Sequence, residues 1–246
     1  MTLDAGAVDV RRVDDVAVLT LVRPEAENRI TSPMAEAAAA ALEQARTDTS
    51  IVGCVLTGHG NVFCTGGDFR AAGRGTAGQL RFGRAHEALA QAMARLGKPL
   101  VAAVNGPAHA GGFAIVALCD LAVCADDATL GLPEASRGLF PLLALSLVKD
   151  SLPQKVFFEL VYRARLLDAT EAKALNLVND IVPTTQVLDR AIDLAGTMRH
   201  ANADIVGIGR DLYYATRCIA PQEANEQARF ALVAALQTLK ESEKAE

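Results

Sequence analysis

Two runs in this chain carry almost no polar side chain: Ile51-Val52-Gly53-Cys54-Val55-Leu56-Thr57 and Leu100-Val101-Ala102-Ala103-Val104. A strand with one wet face alternates apolar and polar residues, because successive side chains point to opposite sides. Unbroken apolar runs must instead be covered on both faces. That condition is met by a mostly parallel sheet whose crossovers are helices. The intervening segments supply them. Ser32-Pro33 reads as a helix start, cap then proline, with the helix running through the alanines to about Arg46. Gln79 to Leu96 reads as a second helix, stopped by Lys98-Pro99. Gly112 to Leu118 is apolar all round, the mark of a buried helix. Further strands are expected at Val16–Leu21, briefly at Val62-Phe63-Cys64, and at Asp120 to Ala125. With 4% aromatics and no Trp, the core of this α/β fold must be filled by Ala, Val and Leu. Beyond Pro141 the pattern turns mainly helical. Asp168-Ala169-Thr170-Glu171 reads as a capping box, Ile181-Val182-Pro183 as a short extended piece, and Glu241 to Glu246 as a fraying charged tail.

The charge balance narrows the partners. With 24 Lys+Arg against 29 Asp+Glu, the net charge of −5 offers no basic field for nucleic acid. Five cysteines, an odd number without a CxxC pair, argue against zinc and disulfides and for buried free thiols in a reducing, cytoplasmic setting. Met1 to Arg12 lacks an apolar signal core, and no run reaches the length of a membrane span.

Chemistry is suggested by two glycine turns, each placed behind an apolar strand: Cys64-Thr65-Gly66-Gly67-Asp68 and Ala110-Gly111-Gly112. Paired glycines leave main-chain N–H groups uncovered, and the start of a helix attracts negative charge. Either turn alone is ordinary punctuation. Brought together they form an oxyanion hole, in which each donor contributes about 2.7–4 kcal/mol to a transition state. Downstream, Pro133-Glu134 offers a carboxylate for proton transfer.

These segments resemble one family jointly. Val62 to Asp68 is similar to its F-C-x-G-x-D motif, and Lys98 to Gly106 with Gly111-Gly112 to its K-P-x-x-A-A-V-x-G…G-G motif. Asp120 to Glu134 and Leu167 to Pro183 continue the likeness, which spans roughly residues 10 to 235. The chain is thereby identified as a member of the crotonase (enoyl-CoA hydratase/isomerase) superfamily. The resemblance implies an α/β spiral of the ClpP/crotonase type. Repeated β-β-α units over residues 1–187 would carry the site, and a helical C-terminal segment, residues 188–246, would serve packing and oligomerisation as a homotrimer or hexamer. It implies an acyl-CoA substrate, no metal and no required cofactor beyond the CoA thioester itself.

Position by position, the resemblance assigns the oxyanion donors to Gly67 and Gly111. It assigns CoA contacts to Ala26, Gly67, Asp68, Phe69, Arg70 and Gly111. Glu134 matches the second of two family glutamates, whereas the first falls on Ala114. Moving a double bond needs one base; adding water is best served by two groups. The favoured expectation is therefore enoyl-CoA isomerase-like chemistry with Glu134 as single base. The alternatives are hydration or other crotonase-type lyase chemistry with a non-standard second group, for which His86 and Glu87 are at hand, and a CoA-binding protein without catalysis. Gly73-Arg74-Gly75-Thr76-Ala77-Gly78 spells G-x-G-x-x-G but follows a polar stretch and has no acidic residue near position 98, so it reads as a loop by the acyl pocket. His109 is expected to be packed or to cap a turn, and Arg163 and Arg165 to form a solvated or interface face and not a CoA phosphate clamp. The Ala71–Phe82 and Leu139–Leu147 stretches are the expected pocket walls. A serine hydrolase on this general fold is excluded by the absence of G-x-S-x-G.

Overall fold

A computed structural model describes residues 6–73 and 75–245. Residues 1–5 of the N-terminal reading, Arg74 of the glycine-rich stretch and Glu246 of the tail lie outside the described residues. The two apolar runs are strands of one six-stranded sheet. β1 (Ala7–Val13) and β2 (Val16–Val22) form an antiparallel hairpin, and α1 (Ser32–Thr47) leads to β3 (Gly53–Gly58). α2 (Thr76–Ala94) follows and leads to β4 (Leu100–Val104). The short β5 (Ala108–His109), α3 (Gly111–Leu118), β6 (Leu121–Ala125) and β7 (Thr129–Gly131) come next. α4 (Leu142–Val148), α5 (Gln154–Arg163), β8 (Leu166–Asp168), α6 (Ala169–Ala174) and β9 (Asp180–Val182) complete the strand-bearing part. α7 (Val187–Ala195), α8 (Ala203–Thr216) and α9 (Pro221–Ala245) end the chain.

The large sheet runs β1-β2-β3-β4-β6-β9, parallel throughout except for the β1 edge, and a second sheet runs β5-β7-β8. Every residue of β3 and β4 is buried, as their composition requires. α1 packs on β1 and β2, α2 packs on α1, and α7 lies across β2, β3, β4 and β6. Close approach explains the alanines. The buried face of α1 is Ser32, Met34, Ala35, Ala38, Ala41, Leu42 and Ala45, spaced by helical turns. A Cβ on Gly53 would stand 2.2 Å from the Ala195 carbonyl oxygen, so α7 rests directly on the backbone of β3. α9 packs on α8, and α8 is tied to the body by Arg210 and Tyr214, which both reach Asp120 (2.8 and 2.7 Å).

Several local readings are corrected. The cap of α1 is Thr31, whose hydroxyl accepts from Met34 N–H, so Ser32 is already helical. Val62–Cys64 is not a strand: only Cys64 pairs, in a single bridge to Ala108, because the chain turns at Gly66 (φ +119°) before a ladder can grow. β1 is an additional strand, its exposed, charged sequence typical of a sheet edge. Glu241 does not begin a frayed tail; α9 continues to Ala245. The capping box at Asp168 and Glu171 is present with both hydrogen bonds. Among the described residues no helix is long and apolar enough to cross a membrane.

Candidate active site

The two glycine turns meet. Ile30 N–H donates to the Gly66 carbonyl (2.9 Å) and Asp68 N–H donates to the Ile30 carbonyl (2.8 Å). In parallel pairing the residue between two such bonds, here Gly67, directs its own N–H to the opposite side. On that side lies the start of α3. A Cβ on Gly111 would sit only 3.3 Å from Gly67 N, and one on Gly66 would sit 2.9 Å from the Ala110 Cβ. Gly111 is the first residue of α3, so its N–H has no intrahelical acceptor. Among the described residues neither the Gly67 nor the Gly111 amide has a partner. Two uncovered donors therefore stand together at a helix N-terminus.

Small residues are required there. Gly66 adopts φ +119°, and a Cβ on Gly112 would lie 2.0 Å from the Cys64 carbonyl oxygen, so only glycine lets α3 start against the other turn. Ala110, at φ 53° and ψ −119°, holds a conformation that L-residues rarely take, held by its N–H bond to Gly131 O (2.8 Å). Cys64 donates and accepts around Gly66 (3.4 Å each), and burial pushes its thiol up to about 12, so it remains protonated.

Glu134 is the second residue of a 3-10 turn, Pro133–Arg137, just beyond β7. Since β5 and β7 run parallel with His109 opposite Gly131, Gly111 and Glu134 follow two and three residues past the same rung. Its Oε2 is buried without a hydrogen-bond partner. Burial raises the carboxyl above its usual range, against smaller lowering effects from its own backbone N–H and Arg137.

The first glutamate's position, Ala114, is buried and lines an apolar cavity of about 50 Å³. Gly66, Gly67 and Gly111 are among the residues that line it. Leu89 and Met93 of α2, Ile115 and Leu118 of α3, and Leu143 and Leu147 of α4 form its walls. The Leu139–Leu147 expectation is thus met by α4. The Ala71–Phe82 expectation is corrected: the wall comes from the later turns of α2, because its helical stripe Phe82, Ala85, Leu89, Met93 faces inward. Glu134 is not among the residues lining this cavity.

The remaining assigned residues sort themselves. Ala26 is buried in a 3-10 turn, Pro24–Ala26. Phe69 is 52% exposed, and it and Arg70 lie on the turn that follows Gly67. The Asp68 carboxylate has a structural role in the loop, whose backbone is the part expected along CoA. It pairs with buried Arg23 (2.8 Å) and accepts from Ala71 N–H (3.2 Å). Arg23 was visible only as the end of a strand; no local signal marks a partner forty-five residues away. Asn28 was likewise missed: fully buried, it donates to the His59 and Val62 carbonyls and pins the loop before Gly66. His109 is packed, its Nε2 2.9 Å from Thr129 Oγ1. Arg163 and Arg165 are engaged by Glu159 and Glu171. Glu87 is exposed and bonded to Gln91, whereas His86 lines the cavity.

This fold and this pair of turns define a crotonase. A family model described as enoyl-CoA hydratase/isomerase matches residues 11–244. An enoyl-CoA hydratase of Mycobacterium tuberculosis is 34% identical over 197 residues, covering 76% of this chain and 72% of its own. The 2,3-dehydroadipyl-CoA hydratase of Escherichia coli is 32% identical, covering 92% and 89%. The crystal structure of an enoyl-CoA hydratase of Mycobacterium smegmatis superposes with a TM-score of 0.86 at 27% identity, over 94% of this chain and 91% of that one. The chain belongs to the enoyl-CoA hydratase/isomerase family and is an enzyme of that family.

Proposed function

We propose that the protein binds acyl-CoA thioesters and moves a proton at the carbon next to the thioester carbonyl. The observation that carries this reading is the meeting of the unpartnered Gly67 and Gly111 amides in the lining of an apolar cavity. A thioester oxygen seated between them gains two hydrogen bonds that strengthen as the enolate forms, about 2.7–4 kcal/mol each. The acyl chain follows the leucine-lined walls. Coenzyme A leaves past Ala26, Phe69 and Arg70. Glu134 exchanges the α-proton, a step worth on the order of 10²–10⁴-fold. Burial raises its carboxyl above the usual range, which makes the carboxylate a stronger base for that proton. No metal or redox cofactor enters, since thioester and oxyanion hole together activate the α-carbon. Glu134 alone supports double-bond isomerisation; a second group near the β-carbon supports hydration, the activity in the relatives' names. Assembly as a trimer or hexamer belongs to the same proposal.

The test is a panel of 2-enoyl- and 3-enoyl-CoA thioesters, followed by the conjugated thioester absorbance, with α-proton exchange of a saturated acyl-CoA in D₂O read by NMR. Glu134→Gln should abolish turnover and exchange while calorimetric CoA-thioester binding persists. Binding without any turnover or exchange in the wild type would leave only a CoA-binding protein, and no binding heat would sink the reading.

A further inference from the structure

The cavity contains one titratable side chain among the described residues that line it, His86 on α2. Its ring is fixed from two sides. Nδ1 lies 2.8 Å from the Phe82 carbonyl oxygen, one helical turn back, and the Phe82 ring packs against it, tilted by 40° with 4.1 Å between centroids. A carbonyl oxygen only accepts, so Nδ1 must carry the hydrogen, and in the neutral ring Nε2 is left with its lone pair. That Nε2 is buried and has no partner. It points toward the oxyanion end, only 3.2 Å from where a Cβ on Gly67 would be. An unsatisfied buried acceptor costs on the order of 1–3 kcal/mol, so its retention calls for an occupant that donates a hydrogen bond. Ala114, where the family's first carboxylate would be, borders the same space, and neither the α3 nor the α4 wall brings a charged group to it.

Resting on the thioester reading above, we propose that His86 Nε2 is the second proton-transfer group of this site. The reaction it implies is addition of water across the Cα=Cβ bond of a 2-enoyl thioester, or its reversal. In the addition direction His86 Nε2 takes a proton from water as the water oxygen bonds to Cβ. The π pair moves to the thioester oxygen, held as an enolate by the Gly67 and Gly111 amides. The enolate then takes a proton at Cα from the Glu134 carboxylic acid. The imidazolium releases its proton to solvent and Glu134 regains one, so the net change is one water added. Burial favours the neutral imidazole, outweighing the Phe82 bond that favours the cation, and burial likewise shifts Glu134 toward its neutral carboxyl form. The two groups are thus poised as base and acid in the required sense.

The experiment compares hydration of a short 2-enoyl-CoA with α-proton exchange of the matching saturated acyl-CoA, a step that does not use His86. His86→Ala and His86→Gln are both made; Gln preserves volume but cannot become a cation. Each should lose on the order of 10²–10⁴-fold in hydration, with exchange falling far less. The acid limb of the wild-type hydration profile, set by His86 below its ordinary 6.5, should vanish in both variants. Retained binding of a saturated acyl-CoA confirms that the variants fold. Unchanged hydration, or equal loss of both reactions, overturns the proposal. A wild type that exchanges but does not hydrate overturns it while leaving the thioester reading intact. A wild type that does neither overturns both.

Discussion

The ion pair beneath the oxyanion loop makes the sharpest stability prediction. Arg23 is 5% exposed and Asp68 12%, with Nη1 and Oδ2 2.8 Å apart. Asp68→Asn keeps an acceptor for Ala71 N–H and nearly the same volume, so the change removes charge and little else. Breaking a buried pair from one side costs about 3–5 kcal/mol, because the remaining charge is stranded in low dielectric. Arg23 keeps the Arg29 carbonyl at 3.3 Å and a longer contact with exposed Glu25 at 3.7 Å, which places the loss at the lower end, about 3 kcal/mol. For a chain of this length that corresponds to about 6–12 °C in Tm. Urea unfolding at neutral pH, wild type against variant with matched m-values, measures it. Burial alone would raise Asp68, but Arg23 and the Ala71 N–H hold it below the usual carboxylate range. Its folded pKa is depressed, so its contribution is present above the unfolded value and fades as pH falls through the folded one. The variant's deficit should therefore shrink in acid. A loss under about 1 kcal/mol, the worth of a surface pair, or a deficit that grows in acid, would refute this account of the loop.

The remaining expectations concern the site itself. Gly112→Ala forces a methyl against the Cys64 carbonyl oxygen and must push α3 away from the other turn. It should cost about 1–3 kcal/mol as overpacking and reduce kcat far more than it raises the dissociation constant of a saturated acyl-CoA; equal effects would count against amide convergence. Glu134 has a raised folded pKa, so its contribution is full below the unfolded value and is lost as pH rises through the folded one. Glu134→Gln should therefore match the wild type in acid and exceed it in stability at neutral and alkaline pH while being inactive. Denaturation midpoints against pH check this, and a variant less stable at pH 8 would show that Glu134 is not held desolvated.

How much of this could be read along the chain depends on the range of each interaction. The strands β3 and β4 were legible because burial on both faces writes itself into every side chain. The helix at Asp168 was legible because a capping box is closed within four residues. Val62–Cys64 misled because three apolar residues look alike whether they end in a ladder or in a single bridge. β5, β7 and β8 are two or three residues long, and their pairing is set by partners far away in sequence.

The candidate site divides along the same line. Which residue types could serve, two diglycine turns and a carboxylate behind proline, was contained in the order of the amino acids. So was the absence of a carboxylate at Ala114. Only the tertiary structure set Gly67 against Gly111, turned Asp68 toward Arg23, and chose His86 over its neighbour Glu87 to enter the cavity. Main-chain amides acquire their chemistry from what they fail to bond. That depends on which strand and which helix end lie opposite, a matter of long-range packing that no local pattern encodes.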